Sequence, residues 1–338
     1  MLNEKLNSEI FSDKVEMKPT RDGFGNGLLL AGEENSNVVA LSADVAASTR
    51  CTAFIEKFPE RFFQIGIAEQ NLIGVAAGLA VSGKIPFTAA YAVFTPGRTW
   101  EQIRTMIAYN NANVKVVGHH SGLHAGLDGA THQSLEDIAL MRVIPNMKVI
   151  VPCDAIEAKK ATIAAAKTEG PIYIRVTREK SPIITIEKTD FEIGKAEIFW
   201  QSKPHNRTSL LRSKNPQVLI IGCGPVLYNA LLAVQELEKE GINAIVLNNH
   251  TIKPIDEKKI IELAEKCGAV VTIEDHNIIG GLGGAVAEVL VKNKPMPMEF
   301  IGVKDCFTES GHPEELVKKY GLGIEDIKVA AKKVIGRK

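Results

Sequence analysis

Between Asn37 and Thr177, short runs of apolar and β-branched residues recur: "NVVALSAD", "FFQIGIA", "KIPFTAA", "NVKVVGHH", "MKVIVP" and "PIYIRVT". The runs are nearly continuous rather than alternating, the pattern of strands covered on both faces. Intervals between several of them are long enough for crossover helices, so the chain is predicted to form a parallel α/β sheet in the interior of a domain. The rhythm breaks from Ser181 to Asn215. It resumes with "QVLIIGCG", "NAIVLNN", "GAVVTIED" and "MEFIGV", separated by helical periods near Tyr228 to Glu240, Asp256 to Lys266 and Gly284 to Lys292. That is a second, smaller α/β unit. A length of 338 residues with 45% hydrophobic content supports two cores. The expected division is an N-terminal extension (1–17), a first α/β domain (18–182), a connector (183–215) and a second α/β domain (216–338).

Charge and cysteine usage narrow the function. Lys plus Arg total 40, as do Asp plus Glu, so bulk charge points to neither nucleic acid nor a membrane surface. The five cysteines form no CxxC pair and no Cys/His cluster, which argues against a zinc site or a disulfide framework. No apolar run has the length of a membrane span, and the polar N-terminus lacks a signal-type apolar segment. A cytoplasmic protein is expected. "IGCGPV" and "GGLGG" resemble phosphate loops but lack the full GxGxxG spacing, and close helix–strand packing explains them better.

Three clusters carry chemistry. Glu69 stands where "RFFQIGIA" meets the small-residue helix "EQNLIGVAAGLAVSG". An acid at a helix N-terminus complements the dipole, yet a buried carboxylate needs a partner or a proton, and no Arg or Lys shares its helical face. The second cluster, "HHSGLHAGLDGATHQSLED", holds His119, His120, His124, Asp128 and His132 directly after a strand, where parallel sheets bind ligands. It is a substrate loop, a metal site or a polar turn; its glycines disfavour the helix that four-residue ligand spacing would need. The third is "AAYAVFTPGRTWEQIR", whose Tyr91 and Phe94 are either core or a stacking wall for a flat heterocycle.

Taken in order, these clusters resemble the pyrimidine-binding domain of transketolase-type thiamine-diphosphate enzymes. "SADV", "GIAEQN", "GLDGATHQSLEDIALMRVIPNMKVIVPCDA", "VTRE", "HTIKPID" and "IGGLGGAVAE" carry the likeness, from about Lys18 to the end. It is nearest to a transketolase whose C-terminal section is a separate chain. No GDG motif with a following Asn is present to hold the diphosphate and a divalent metal. The resemblance therefore implies a partner, the transketolase N-terminal subunit carrying that motif and binding Mg2+ or Ca2+, in an α2β2 heterotetramer with active sites at subunit interfaces.

The resemblance also implies roles. Glu69 would share a proton with N1′ of the aminopyrimidine, favouring the imino tautomer whose nitrogen removes the thiazolium C2 proton. Phe94 would stack on the pyrimidine with Tyr91 beside it; a third aromatic of the family falls at Gly97. Asp44 would lie near the cofactor. Asp128 would bind a substrate hydroxyl, and His120 and His132 would contact substrate oxygens or assist proton transfer. Arg21, Ser48 and Arg178 match sugar-phosphate positions, a use suited to guanidinium forks. His250 and His276, in the second domain, match no catalytic position, and that domain's expected work is packing and dimerisation. The implied activity is transfer of a two-carbon ketol unit from xylulose 5-phosphate to ribose 5-phosphate or erythrose 4-phosphate, in the pentose phosphate pathway. The rivals are a 1-deoxyxylulose-5-phosphate synthase-like enzyme, which shares the DGxTH loop, the β subunit of a 2-oxo-acid dehydrogenase decarboxylating component, and a non-catalytic scaffold subunit.

Overall fold

The computed structural model describes residues 1–202 and 216–338. The strands are β1 (Met17–Lys18), β2 (Val38–Ser42), β3 (Phe62–Gln64), β4 (Ile85–Tyr91), β5 (Lys115–His119), β6 (Lys148–Ile150), β7 (Ile172–Arg175) and β8 (Ser181–Pro182), then β9 (Glu197–Gln201), β10 (Val218–Gly222), β11 (Ala244–Asn248), β12 (Thr251–Lys253), β13 (Val270–Asn277) and β14 (Met298–Val303). One sheet runs β12-β6-β7-β5-β4-β2-β3, and a second runs β14-β13-β10-β11-β9. All neighbours are parallel except β12 against β6 and β9 against β11. Strands β2, β5, β7, β10 and β11 are buried at every position, which is why their sequences read as unbroken apolar runs. Two α/β units with mostly parallel sheets are therefore present.

Helices pack where the sequence removes bulk or supplies a cap. Helix Thr20–Glu34 lies so close to helix Ala155–Lys167 that a Cβ on Gly23 would stand 1.9 Å from the Ala155 carbonyl oxygen. The second of these helices starts at Asp154, whose side chain accepts the Glu157 N–H at 2.8 Å. In "GGLGG", the N-terminus of helix Leu282–Asn293 is filled by the protein's own Glu274, which accepts the N–H groups of Leu282 (2.7 Å) and Gly283 (2.8 Å).

Three features depart from the expected layout. The stretch read as a connector contributes β9, an antiparallel edge strand of the second sheet; its last part, 203–215, lies outside the described residues. Residues 1–17 are knitted into the second unit: Leu6 and Ile10 are buried, and the Tyr228 hydroxyl donates to the Ile10 carbonyl at 2.9 Å. Strand β12, inside "HTIKPID", crosses from the second unit to the edge of the first sheet. Among the described residues, no helix is long and apolar enough to cross a membrane, and no His/Cys/Asp/Glu group is arranged to hold a metal ion.

Candidate active site

Every chemistry-bearing cluster lies at the C-terminal edge of the parallel strands of the first sheet. Ser48 follows β2, Glu69 follows β3, Tyr91 and Phe94 close β4, His120 follows β5 and Arg178 follows β7. That edge is where strand ends and helix starts leave a crevice in an open α/β sheet.

At its centre, the Tyr91 hydroxyl donates to Ser48 Oγ at 3.1 Å, and Ser48 Oγ lies 3.3 Å from His120 Nε2. Arg21 Nη1 donates to the Ser48 carbonyl at 3.0 Å and approaches His120 Nε2 at 3.5 Å. His120 is 1% exposed, sits at φ +56° and holds its ring 4.1 Å from that of Tyr91, tilted by 38°. A left-handed conformation costs a non-glycine residue about 1–2 kcal/mol, which the surrounding contacts must offset. Burial, then the charges of Arg21, Arg178, His132 and Arg50, push the His120 pKa down to about 3. The imidazole is neutral at ordinary pH and serves as an acceptor. Burial first, and then Arg50, also lower the Arg21 pKa.

The aromatic wall is formed as a group. Tyr91 and Phe94 stack at 6.2 Å and 30°, and His132 meets the Phe94 ring edge-on at 5.4 Å. Gly97 leaves the next position open: a Cβ there would meet only the Ala92 carbonyl oxygen, at 3.9 Å. Asp128 pairs with Arg178 at 2.9 Å, both partly exposed. Asp44 is the outlier. Its backbone N–H donates to Gln64 Oε1 at 2.7 Å, but its exposed side chain makes no recorded contact with the other members.

Glu69 opens helix Glu69–Val81 and is 4% exposed. Its partner is Arg98, whose Nη1 donates to Oε2 at 2.7 Å while the guanidinium lies 4.7 Å from the Phe94 ring centroid. Sequence reasoning missed this residue because it examined only the acid's own helix. The available signal was an arginine four positions beyond Phe94, on the turn after the next strand.

The cluster thus offers guanidinium groups and a serine for an anion, a neutral histidine acceptor and stacked rings beside a buried acid. Residues 16–183 match the transketolase pyrimidine-binding domain and residues 207–327 the transketolase C-terminal domain. A Methanocaldococcus jannaschii protein described as a transketolase C-terminal section is 44% identical over 92% of this chain and 94% of its own length. The chain belongs to the transketolase family. Within that family it corresponds to the C-terminal section of a split transketolase, the pyrimidine-binding plus C-terminal domains of the thiamine-diphosphate superfamily. A 6-deoxy-6-sulfo-D-fructose transketolase subunit from a Clostridium species is 42% identical over 97% of this chain and 98% of its own. Human transketolase is 35% identical, and the chain spans about half its length, 49%. A solved split-gene transketolase, an inactive β4 tetramer, shares 44% identity with a TM-score of 0.85, covering 95% of this chain and 99% of that one. Campylobacter jejuni transketolase shares the fold, with a TM-score of 0.75 at 21% identity over 93% of this chain and 46% of its own.

The family implies thiamine diphosphate, and the residues present fit its pyrimidine end. The rings of Tyr91 and Phe94 form a wall, the space at Gly97 is open, and Glu69 has an oxygen, Oε1, with no recorded donor.

Proposed function

We propose that this chain forms the pyrimidine-side half of a two-chain transketolase active site. The complete assembly transfers a two-carbon ketol unit from xylulose 5-phosphate to ribose 5-phosphate or erythrose 4-phosphate. The observation that carries the reading is the buried Glu69 sharing one strand edge with the Tyr91/Phe94 wall and with the anion-binding group Arg21, Ser48 and His120. The second chain, an N-terminal subunit with the GDG motif, would hold the diphosphate and Mg2+ or Ca2+, in a cytoplasmic α2β2 heterotetramer. Support for the pairing comes from relatives named as transketolase subunits and from the inactivity of a split-gene β4 tetramer.

Thiamine diphosphate, when bound, would supply the carbon nucleophile. The chain's own residues set up that chemistry. Glu69 offers a carboxylate oxygen to a hydrogen bond with the pyrimidine ring, and burial strengthens that bond. Phe94 and Tyr91 give the ring its face to stack on. Arg21, Ser48 and Arg178 bind the substrate's phosphate, the guanidinium groups by charge-assisted hydrogen bonds. Asp128, steered by Arg178, accepts a substrate hydroxyl. Neutral His120 accepts from a second hydroxyl, and His132 closes the pocket beside the rings. Asp44 is assigned to the cofactor's margin.

Co-purification with a GDG-bearing chain, followed by a ketol-transfer assay, tests the reading. Transfer from xylulose 5-phosphate is expected; no transfer to either aldose phosphate would refute it. Relatives named for 6-deoxy-6-sulfofructose and apulose 4-phosphate make those the second donors to assay, because guanidinium forks bind a sulfonate as they bind a phosphate. With Glu69→Gln, the subunits should assemble while activity falls severely. Near-normal turnover would remove Glu69 from the mechanism.

A further inference from the structure

We infer that the second domain is a clamp that positions the loop from His120 to Gln133, with Asp275 as its positioning residue. The inference rests on the assignment of that loop to substrate.

The loop is irregular and glycine-rich, closed on itself by turn hydrogen bonds such as Gly122 N–H to the Ser134 carbonyl at 2.9 Å. Its one helical turn, Leu123–Asp128, is broken at Gly126, and Gly122, Gly126 and Gly129 all take positive φ. The first domain holds it through the Ser121 hydroxyl, which donates to the Val176 carbonyl at 2.9 Å, and the Glu179 N–H, which donates to the His124 carbonyl at 3.2 Å; the second domain holds it at two further places. On one side Asp275, at the carboxyl end of β13 and 2% exposed, accepts the Leu123 N–H at 2.8 Å with Oδ1 and faces His124 Nδ1 at 2.7 Å with Oδ2. The approach is close: a Cβ on Gly122 would stand 2.3 Å from Asp275 Oδ2. On the other side the Thr308 hydroxyl donates to Gln133 Oε1, and Gln133 Nε2 donates to the Glu309 carbonyl at 3.1 Å. A Cβ on Gly129 would stand 2.4 Å from Ser310 Oγ.

A buried cation joins the clamp to the sheet. Arg175 Nη2 donates to the Asp275 carbonyl (2.7 Å) and to the Ser134 carbonyl (3.1 Å), while its Nε binds Asp137 at 2.8 Å. His120, Asp128 and His132 therefore lie on a loop that the other domain holds at the Leu123 N–H, through the Asp275 carboxylate, and at the Gln133 side chain, through Thr308 and the Glu309 carbonyl. Domain packing alone would be served by apolar contact. A buried carboxylate aimed at loop N–H groups fixes direction as well as distance, and hydrogen bonds to charged groups are among the stronger ones.

Asp275→Asn and Thr308→Val, each in the full chain reconstituted with its partner subunit, separate positioning from bulk stability. Amide hydrogen exchange across residues 120–135 is expected to rise about tenfold or more while helix Ala155–Lys167 is unchanged. KM for the aldose phosphate should rise about tenfold with a smaller change in kcat, and thiamine diphosphate affinity should not move. If Asp275→Asn fails to fold, Thr308→Val carries the test, since it removes one hydroxyl at the far end of the loop. Unchanged loop exchange overturns the clamp, and raised exchange with unchanged KM overturns its link to substrate. Absence of ketol transfer in the wild-type assembly would instead refute the proposed reaction, with the exchange data still deciding the clamp.

Discussion

Replacing Arg98 by Met tests the feature that makes a buried Glu69 tolerable. Removing one partner of a fully buried ion pair costs about 3–5 kcal/mol, whereas exposed pairs are worth about 0.2–1 kcal/mol. This pair is mixed: the Glu69 side chain is 4% exposed and that of Arg98 is 49%. Water reaches the cation but not the anion, so the cost should fall between the limits, at about 2 kcal/mol. The guanidinium over Phe94 adds about 0.5–1 kcal/mol, which a Met sulfur against the same ring largely offsets. An unfolding entropy of about 2.1 cal/mol/K per residue converts 2 kcal/mol into a Tm drop of about 3 °C if the whole chain unfolds together, or about 6 °C if the first domain unfolds alone. Calorimetry and urea titration measure the loss. The decisive sample is the double variant Arg98→Met with Glu69→Gln, in which no buried carboxylate is stranded, so most of the lost stability should return. A single variant within about 0.5 kcal/mol of wild type, or a double variant no more stable than Arg98→Met, would refute the reasoning.

Two further outcomes follow from the same geometry. His120 and His250 both have folded-state pKa values pushed down to about 3 by burial, so the unfolded chain takes up protons below about 6.5 while the folded chain does not. Their contribution is complete above about pH 6.5 and is lost as pH falls toward 3, at up to about 1.4 kcal/mol per unit for each. Glu157, raised to about 7 by burial, acts in the opposite sense between about pH 7 and 4.5, so the test is a difference: His120→Gln should lose less urea resistance than wild type between pH 7 and 5. Equal losses would sink the assignment. Glycine positions give a contrast by thermal denaturation. Gly97→Ala meets open space and should change stability by less than about 0.5 kcal/mol, whereas Gly23→Ala drives a methyl into the Ala155 carbonyl and should cost more than about 3 kcal/mol or prevent folding.

What the sequence shows and what it hides divide along the range of the interactions. The apolar runs that form β2, β4, β5, β7, β10, β11 and β13 were legible because a strand buried on both faces writes its environment into consecutive residues. Tyr91, Phe94, His120 and His132 were legible because a parallel sheet brings the residues after its strands to one edge, whatever loops lie between. Arg98 was not, because its partner lies 29 residues away, on a different element, and only packing sets that distance. Strand β9 was hidden for a related reason: an edge strand whose first residues are half-buried carries a weaker apolar signature, and its pairing with β11 is non-local. Asp275 is the extreme case. Within "GAVVTIED" it reads as the polar end of a strand, and nothing local marks its carboxylate as the group that fixes a loop some 150 residues earlier. Assigning the second domain only to packing and dimerisation followed from looking there for catalytic residues. The residues proposed to matter there touch no reacting atom; they hold the loop that carries the side chains assigned above to substrate.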